Sequence, residues 1–184
     1  MEVKSLAIPG PLLLTPRKFG DARGFFSEVY NDQKFSSVLG GVRFVQDNHS
    51  MSTARGTVRG LHFQTPPAAQ GKLVRVVRGA IVDVAVDIRR QSPTYGKHVS
   101  VVLSAENWAQ LWIPIGFAHG FCTLEPGAEI IYKVTDYYSP ADDKGIAWND
   151  PDIGIEWPVD AADVVLSDKD QQQPRLAGLP EYFS

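Results

Sequence analysis

The 184-residue chain is 43% hydrophobic and 21% charged, a composition that is ordinary for one globular domain with a core of its own. Its net charge of −3 comes without any run of lysine or arginine, which excludes the basic surface of a typical nucleic-acid-binding protein. The single Cys122 excludes an intrachain disulfide framework, and no segment is apolar for long enough to span a membrane. We therefore expect residues 1–184 to form a single cytoplasmic domain that binds neither nucleic acid nor a membrane.

The elements predicted from the sequence are one short helix and then a series of strands. The helix covers residues 32–39, where Asn31 or Asp32 can cap its start and Gly40-Gly41 end it. The segment RGLHFQ (59–64) has the pattern of a strand. Alternating and β-branched residues continue the series at 72–79, 80–88, 97–103, 109–114, 119–124 and 129–138. A strand about every 10 residues favours an antiparallel sandwich or barrel.

Turns separate these strands, and a polar segment ends the chain. PIG (114–116) and EPG (125–127) supply turn residues, and SAEN (104–107) has the pattern of a loop. The tail from about residue 163 is polar and contains proline and glycine, so it is either a mobile arm or a segment folded back over the barrel.

Strand periodicity predicts which side chains point the same way. His62 and Gln64 share one face of their strand, and Phe63 takes the other. Lys72 and Tyr132 each share a face with apolar residues of their own strands. Polar groups on both faces of apolar strands indicate a barrel with an interior cavity.

A metal site is the first interpretation of the histidines. PIGFAH (114–119) has the Pro-x-Gly-x-x-His spacing of the second cupin motif, which aims its histidine inward. The first cupin motif normally provides His-x-His and a nearby glutamate, but here it is His62-Phe63-Gln64, and the next carboxylates are Asp83 and Asp87. Two imidazoles and an amide fall short of the three protein ligands usual at a catalytic zinc or iron site. The sequence therefore predicts a cupin barrel without a metal.

Proton transfer is the second interpretation. An imidazole such as His62 can remove a proton from carbon next to a carbonyl, and it needs a carboxylate to orient it. Asp168 and Asp170 are the two candidates for that carboxylate. Lys72 is suited to stabilising an enolate, and Tyr132 to returning a proton on the opposite face.

Each of these residue types also has an ordinary structural explanation. A histidine or tyrosine in a strand is commonly a core residue, a lysine is commonly at a solvated edge, and SDKD (167–170) is an ordinary surface charge cluster. Their joint occurrence in one chain favours the catalytic interpretation.

Ten segments, in order and with matching spacing, resemble the dTDP-4-dehydrorhamnose 3,5-epimerases of deoxysugar biosynthesis. They are FGDARGFFSEVYN (19–31), FVQDNHS (44–50), RGLHFQ (59–64), QGKLVRVVRG (70–79), DVAVDIRRQSPTYG (83–96), LSAEN (103–107), WIPIGFAHGF (112–121), YKVTDYYSP (132–140), WNDPDIGIEWP (148–158) and LSDKDQ (166–171). The resemblance implies an all-β, cupin-type antiparallel jelly-roll barrel with a few short helices. It also implies a homodimer that uses no metal or other cofactor.

The substrate that the resemblance implies is dTDP-4-dehydro-6-deoxy-D-glucose, epimerised at C3 and C5 to dTDP-4-dehydro-L-rhamnose in dTDP-L-rhamnose biosynthesis. His62 matches the general base of that family, Asp170 its carboxylate partner, Lys72 the support of the enolate oxygen and Tyr132 the acid. Positions that match contacts to the nucleotide or sugar are Arg23, Glu28, Gln46, Asp47, Asn48, Arg59, His119 and Lys169. Tyr138 matches an aromatic residue that stacks on thymine, and Asp143 lies near a position that is Glu in some relatives.

Three other functions remain open at the level of sequence. One is an epimerase of the same fold that acts at a single centre of a related dTDP-4-keto-deoxysugar. Another is a metal-dependent cupin oxygenase or isomerase. The third, a non-catalytic sugar-nucleotide binding module, is disfavoured because a binder needs no base, enolate cation and acid together.

Overall fold

A computed structural model describes the whole chain, from Met1 to Ser184. It is built almost entirely of strands, with two short α-helices, α1 (Asp32–Leu39) and α2 (Asp168–Gln171), and one 3-10 turn at Leu176–Gly178. The strands are β1 (Glu2–Ser5), β2 (Leu12–Thr15), β3 (Phe19–Asp21), β4 (Gly24–Phe26), β5 (Gln46–Ser52), β6 (Val58–Gln64), β7 (Lys72–Arg78), β8 (Ala80–Asp87), β9 (His98–Ser104), β10 (Gln110–Ile113), β11 (Phe117–Thr123), β12 (Ala128–Val134) and β13 (Asp143–Gly145). Neither helix is long or apolar enough to cross a membrane.

The strands form two main antiparallel sheets. One has six strands in the order β1-β2-β10-β7-β12-β5, and the other has five in the order β13-β6-β11-β8-β9. β3 and β4 pair separately as a small hairpin. Most neighbours in the two large sheets are distant in sequence, which is the connectivity of a double-sheet jelly roll. The predicted cupin-type jelly roll is therefore confirmed.

Apolar residues fill three layers of this sandwich. The largest cluster lies between the two sheets and includes Val74, Leu111 and Ile130. α1 packs Phe35 and Leu39 against the outer face of the six-stranded sheet. The C-terminal tail covers the outer face of the five-stranded sheet with a further apolar cluster, so the tail is folded back over the barrel.

The tail is held by backbone and aromatic contacts. The Arg90 amide donates to the Phe183 carbonyl at 2.8 Å, and the Phe63 and Tyr182 ring centroids are 5.8 Å apart. Further upstream, a parallel bridge joins Val165 to Thr57. That bridge fixes the chain just before α2, which carries one of the predicted catalytic residues.

Predicted elements agree with the structure except at some ends. α1 has the predicted limits, with the Asn31 side chain accepting from the Lys34 amide and Gly40 in the left-handed region. The strand expected over 129–138 ends at Val134 instead, because residues 135–142 leave the sheet as a loop. The strand expected over 119–124 begins earlier, at Phe117.

A pair of glycines lets β6 and β11 approach closely beside the histidines. Gly60 has a φ of +135°, and a Cβ on it would lie 2.5 Å from the Cα of Gly120. Only glycine fits such a backbone and such a contact. Two residues further along β6, His62 is the register partner of His119 on β11, so the close approach positions both imidazoles.

Candidate active site

His62 and Asp170 form a close pair although 108 residues separate them in sequence. The imidazole Nε2 and the carboxylate Oδ1 are 2.5 Å apart. β6 carries the histidine, and α2, capped by the Ser167 side chain, presents the carboxylate. Burial alone raises the pKa of Asp170, but its hydrogen bond to His62 and the charge of that imidazole outweigh burial and lower it. Since Nε2 faces the carboxylate, Nδ1 is the ring nitrogen left to face a substrate.

Asp168 lies on the same short helix but is exposed. Of the two carboxylates that the sequence suggests as partners, the structure brings Asp170 to His62.

A cavity of about 380 Å³ opens beside the His62–Asp170 pair. It contains the predicted Arg59, His119 and Lys169.

Lys72 lies in the same cavity, on β7 of the facing sheet. Its Nζ donates to the His62 carbonyl at 3.4 Å. Burial lowers the pKa of Lys72 to about 8, although the charges of Asp143 and Asp83 act in the opposite direction. The ammonium is therefore a poorly solvated cation that an anion in the cavity would stabilise.

Tyr132 projects into the cavity from β12, the neighbour of β7. Burial raises the pKa of its phenol, with the charge of Arg59 partly opposing this. The phenol thus keeps its proton at neutral pH and can donate it.

A second histidine–carboxylate pair lies next to the first. His119 Nε2 is 2.6 Å from Oδ1 of Asp83, which is completely buried on β8. The other carboxylate oxygen of Asp83 and the hydroxyl of Ser50 are buried without a hydrogen-bond partner. Ser50 lines the cavity and was missed as a site residue. Once residues 46–52 are known to form a strand, the spacing of two places Ser50 on the same face as Gln46 and Asn48.

A smaller cavity of about 150 Å³ adjoins the first and shares His62, Lys72 and Tyr132 with it. Further residues predicted to contact substrate line it, namely Gln46, Asn48, Tyr138 and Asp143. The structure thus brings the nucleotide-binding and catalytic predictions together at one continuous site.

Asp143 connects the two cavities through hydrogen bonds. Its Oδ2 accepts from Tyr138 Oη at 3.0 Å and from Lys169 Nζ at 2.5 Å. Burial lowers the pKa of Lys169, but the hydrogen bond to Asp143 and the negative charge of that carboxylate outweigh burial and raise it. Tyr138 itself remains 57% exposed, so its ring is accessible for stacking.

Three predicted substrate contacts do not line either cavity. Asp47 is on the opposite face of β5 from its neighbours and binds Lys133 Nζ at 2.9 Å, because successive strand residues point to opposite sides. Arg23 is in the exposed β3–β4 hairpin and pairs with Asp21. Glu28 pairs with Lys34 at 2.5 Å on the surface.

The residues that a metal cupin would use have other partners here. His62 and His119 are each paired with a carboxylate. The Gln64 amide binds backbone groups. No group of three or more His, Cys, Asp or Glu residues has a geometry that could hold a metal ion.

Comparison with known proteins gives a consistent family. Residues 5–178 match the sequence model of the family described as dTDP-4-dehydrorhamnose 3,5-epimerase. A protein of that name from Sinorhizobium fredii is 57% identical over 183 residues, which is 100% of this chain and 93% of the relative.

Solved structures extend this similarity to the fold. A dTDP-6-deoxy-D-glucose-3,5-epimerase from Legionella pneumophila, in complex with dTDP-4-keto-L-rhamnose, is similar with a TM-score of 0.93 and 44% identity, covering 97% of this chain and 94% of that one. A 3'-monoepimerase from Streptomyces bikiniensis, in complex with dTDP-quinovose, has a TM-score of 0.87 and 34% identity, covering 94% and 86%.

Proposed function

The chain belongs to the dTDP-4-dehydrorhamnose 3,5-epimerase family, and on this premise we propose that it inverts C3 and C5 of dTDP-4-dehydro-6-deoxy-D-glucose to give dTDP-4-dehydro-L-rhamnose. It is an isomerase, acts in dTDP-L-rhamnose biosynthesis, and uses residues 1–184 as one functional unit. The observation that carries the proposal is the convergence of His62, Asp170, Lys72 and Tyr132 on one cavity.

Proton removal is the first step of the proposed mechanism. The C4 ketone acidifies the hydrogens on C3 and C5, and Nδ1 of His62 accepts one of them. Asp170, 2.5 Å from Nε2, keeps the imidazole in one orientation and stabilises the imidazolium. General base catalysis of this kind contributes about 10²–10⁴ in rate.

Lys72 stabilises the enolate that results. Its ammonium is partly buried next to the His62 carbonyl, so it meets the negative oxygen without a full hydration shell between them. A fixed cation at a developing oxyanion is worth more in a poorly solvated site than in water.

Tyr132 returns a proton to the opposite face. It comes from the six-stranded sheet and His62 from the five-stranded sheet, so a sugar held between them has the base on one side and the acid on the other. Removal on one face and return on the other inverts the carbon. The same ketone then allows the second centre to react in the same way.

The nucleotide end of the substrate is bound by the adjoining groups. The guanidinium of Arg59 and the ammonium of Lys169 are suited to the diphosphate, since both are cations at the cavity. His119 and Asn48 supply further polar contacts, and the exposed ring of Tyr138 receives the thymine.

We further propose that the enzyme is a cytoplasmic homodimer. Phe19, Phe25 and Phe26 of the β3–β4 hairpin are 52%, 56% and 69% exposed, a grouping of apolar rings that suits a subunit contact. Arg23 and Glu28 of the same region line neither cavity of their own subunit, so they would contact substrate only across a dimer interface. Size measurement in solution tests this part of the proposal.

A single-centre epimerase is the second candidate, favoured by the structural similarity to a 3'-monoepimerase. NMR in deuterated water separates the two, because a double epimerase incorporates label at both C3 and C5. The proposal includes no metal, so stoichiometric iron, manganese or zinc in the purified protein would contradict it.

The experiment that tests the proposed chemistry is His62→Ala in deuterated water. Deuterium uptake at C3 and C5 should stop, while dTDP binding, measured by calorimetry, should persist. Uptake at near the wild-type rate would show that another group is the base.

A further inference from the structure

Gln64 is a buried residue, 4% exposed, that the catalytic steps do not use. It lies where a metal cupin would have its second histidine ligand, yet its amide makes three hydrogen bonds to the protein backbone. Nε2 donates to the Ala68 carbonyl at 2.6 Å and to the Tyr137 carbonyl at 3.1 Å. Oε1 accepts from the Ser139 amide at 2.9 Å. The side chain therefore joins two loops and has no free donor for a ligand.

Two of these three contacts lie on either side of Tyr138. The loop 135–142 that carries this tyrosine is outside the sheets. Two further glutamines bind the same stretch of backbone: Gln70 Nε2 donates to the Asp136 carbonyl at 2.7 Å, and Gln46 Oε1 accepts from the Tyr138 amide at 3.3 Å. The backbone on both sides of the aromatic residue is thus fixed, while the ring stays exposed.

We propose that Gln64 is a positioning residue for nucleotide binding, which acts by holding the loop so that the Tyr138 ring is ready to stack on the base. The inference rests on the proposed function, since it requires a nucleobase at Tyr138. A loop without these bonds would have to be ordered when the nucleotide binds, and that entropic cost would weaken affinity.

A double-mutant cycle tests this coupling, with calorimetry on dTDP and steady-state kinetics on the dTDP-4-keto sugar. Tyr138→Ala removes the stacking and should raise the Kd for dTDP about tenfold. Gln64→Met keeps the volume but removes the three hydrogen bonds, and it should raise Kd and KM about fivefold with kcat within about twofold. In the Tyr138→Ala background, Gln64→Met should have no further effect on Kd beyond about twofold, because the ring it positions is absent.

Gln110→Met is the matched control, because Gln110 is equally buried and its amide also binds backbone, at the Val29 carbonyl. It should lower the melting temperature as Gln64→Met does, without changing KM. If Gln64→Met does not fold, Gln64→Asn carries the same test, since the shortened amide cannot span both loops.

Two results would overturn the inference. One is an equal effect of the Gln64 substitution with and without the Tyr138 ring, and the other is a fall in kcat with unchanged KM. A wild-type protein that neither binds dTDP nor turns over the sugar would instead refute the proposed function.

Discussion

Replacement of Asp170 by asparagine tests how much the carboxylate contributes to proton removal. The substitution keeps the size of the side chain but removes the charge that lies 2.5 Å from His62 Nε2. A unit charge pair at about 4 Å interacts by about 4 kcal/mol at an effective dielectric constant of about 20. Since each 1.4 kcal/mol or so is tenfold in rate, we expect kcat to fall by about 10²–10³.

The assay is deuterium incorporation into the dTDP-4-keto sugar, followed by NMR, with KM measured alongside. KM should change little, because Asp170 contacts the imidazole rather than the nucleotide. Asp168→Asn, on the same helix but exposed, is the matched control and should retain wild-type kcat. An Asp170→Asn enzyme that folds and keeps more than about a tenth of the wild-type kcat would refute the assigned role of Asp170.

Three further predictions follow from the geometry. The pKa of Lys72 is lowered to about 8, so kcat/KM should fall as pH rises through about 8. Between pH 8 and the ordinary lysine pKa of 10.5, Lys72 is protonated in the unfolded chain but not in the folded one, so the free energy of unfolding should rise with pH. Lys72→Met should abolish the fall in kcat/KM, measured in pH profiles, and the rise in stability, measured in denaturant titrations. Tyr132→Phe should allow deuterium exchange to continue on the His62 face while inverted product falls about 10²-fold, and equal loss of exchange and inversion would contradict the assignment. Gly60→Ala should reduce the free energy of unfolding by about 3 kcal/mol or more, whereas Gly178→Ala, which meets nothing within 4 Å, should not.

Local patterns predicted much of the barrel. The helix over 32–39 has a capping Asn31 and a left-handed Gly40, both of which can be recognised in the sequence. The strands of the middle region are apolar and β-branched, so their alternation is visible. Strand β5 has a single apolar residue, Met51, so no hydrophobic alternation marks it. The N-terminal strands are three or four residues long, too short for a periodic signal.

The site was predictable in its parts more than in its arrangement. Strand periodicity predicts that His62 and Gln64 share a face, and both line the smaller cavity. The pairing of His62 with Asp170 could not be derived from pattern alone, because it depends on a tail that returns over 108 residues. Asp47 was predicted to contact substrate but lies outside both cavities. A run of residues that matches a family does not distinguish the two faces of β5.

Gln64 illustrates what a sequence motif leaves out. The motif identified it as a missing metal ligand, but the use of its amide depends on two loops that approach from elsewhere in the chain. Such contacts are tertiary and carry no local signal.

Incubation of the wild-type enzyme with dTDP-4-dehydro-6-deoxy-D-glucose in deuterated water tests the central claim most directly. If His62, Lys72 and Tyr132 act on one ketone as proposed, NMR should show deuterium at both C3 and C5 of a product inverted at both carbons. Label at a single carbon, or inversion without label, would contradict the account.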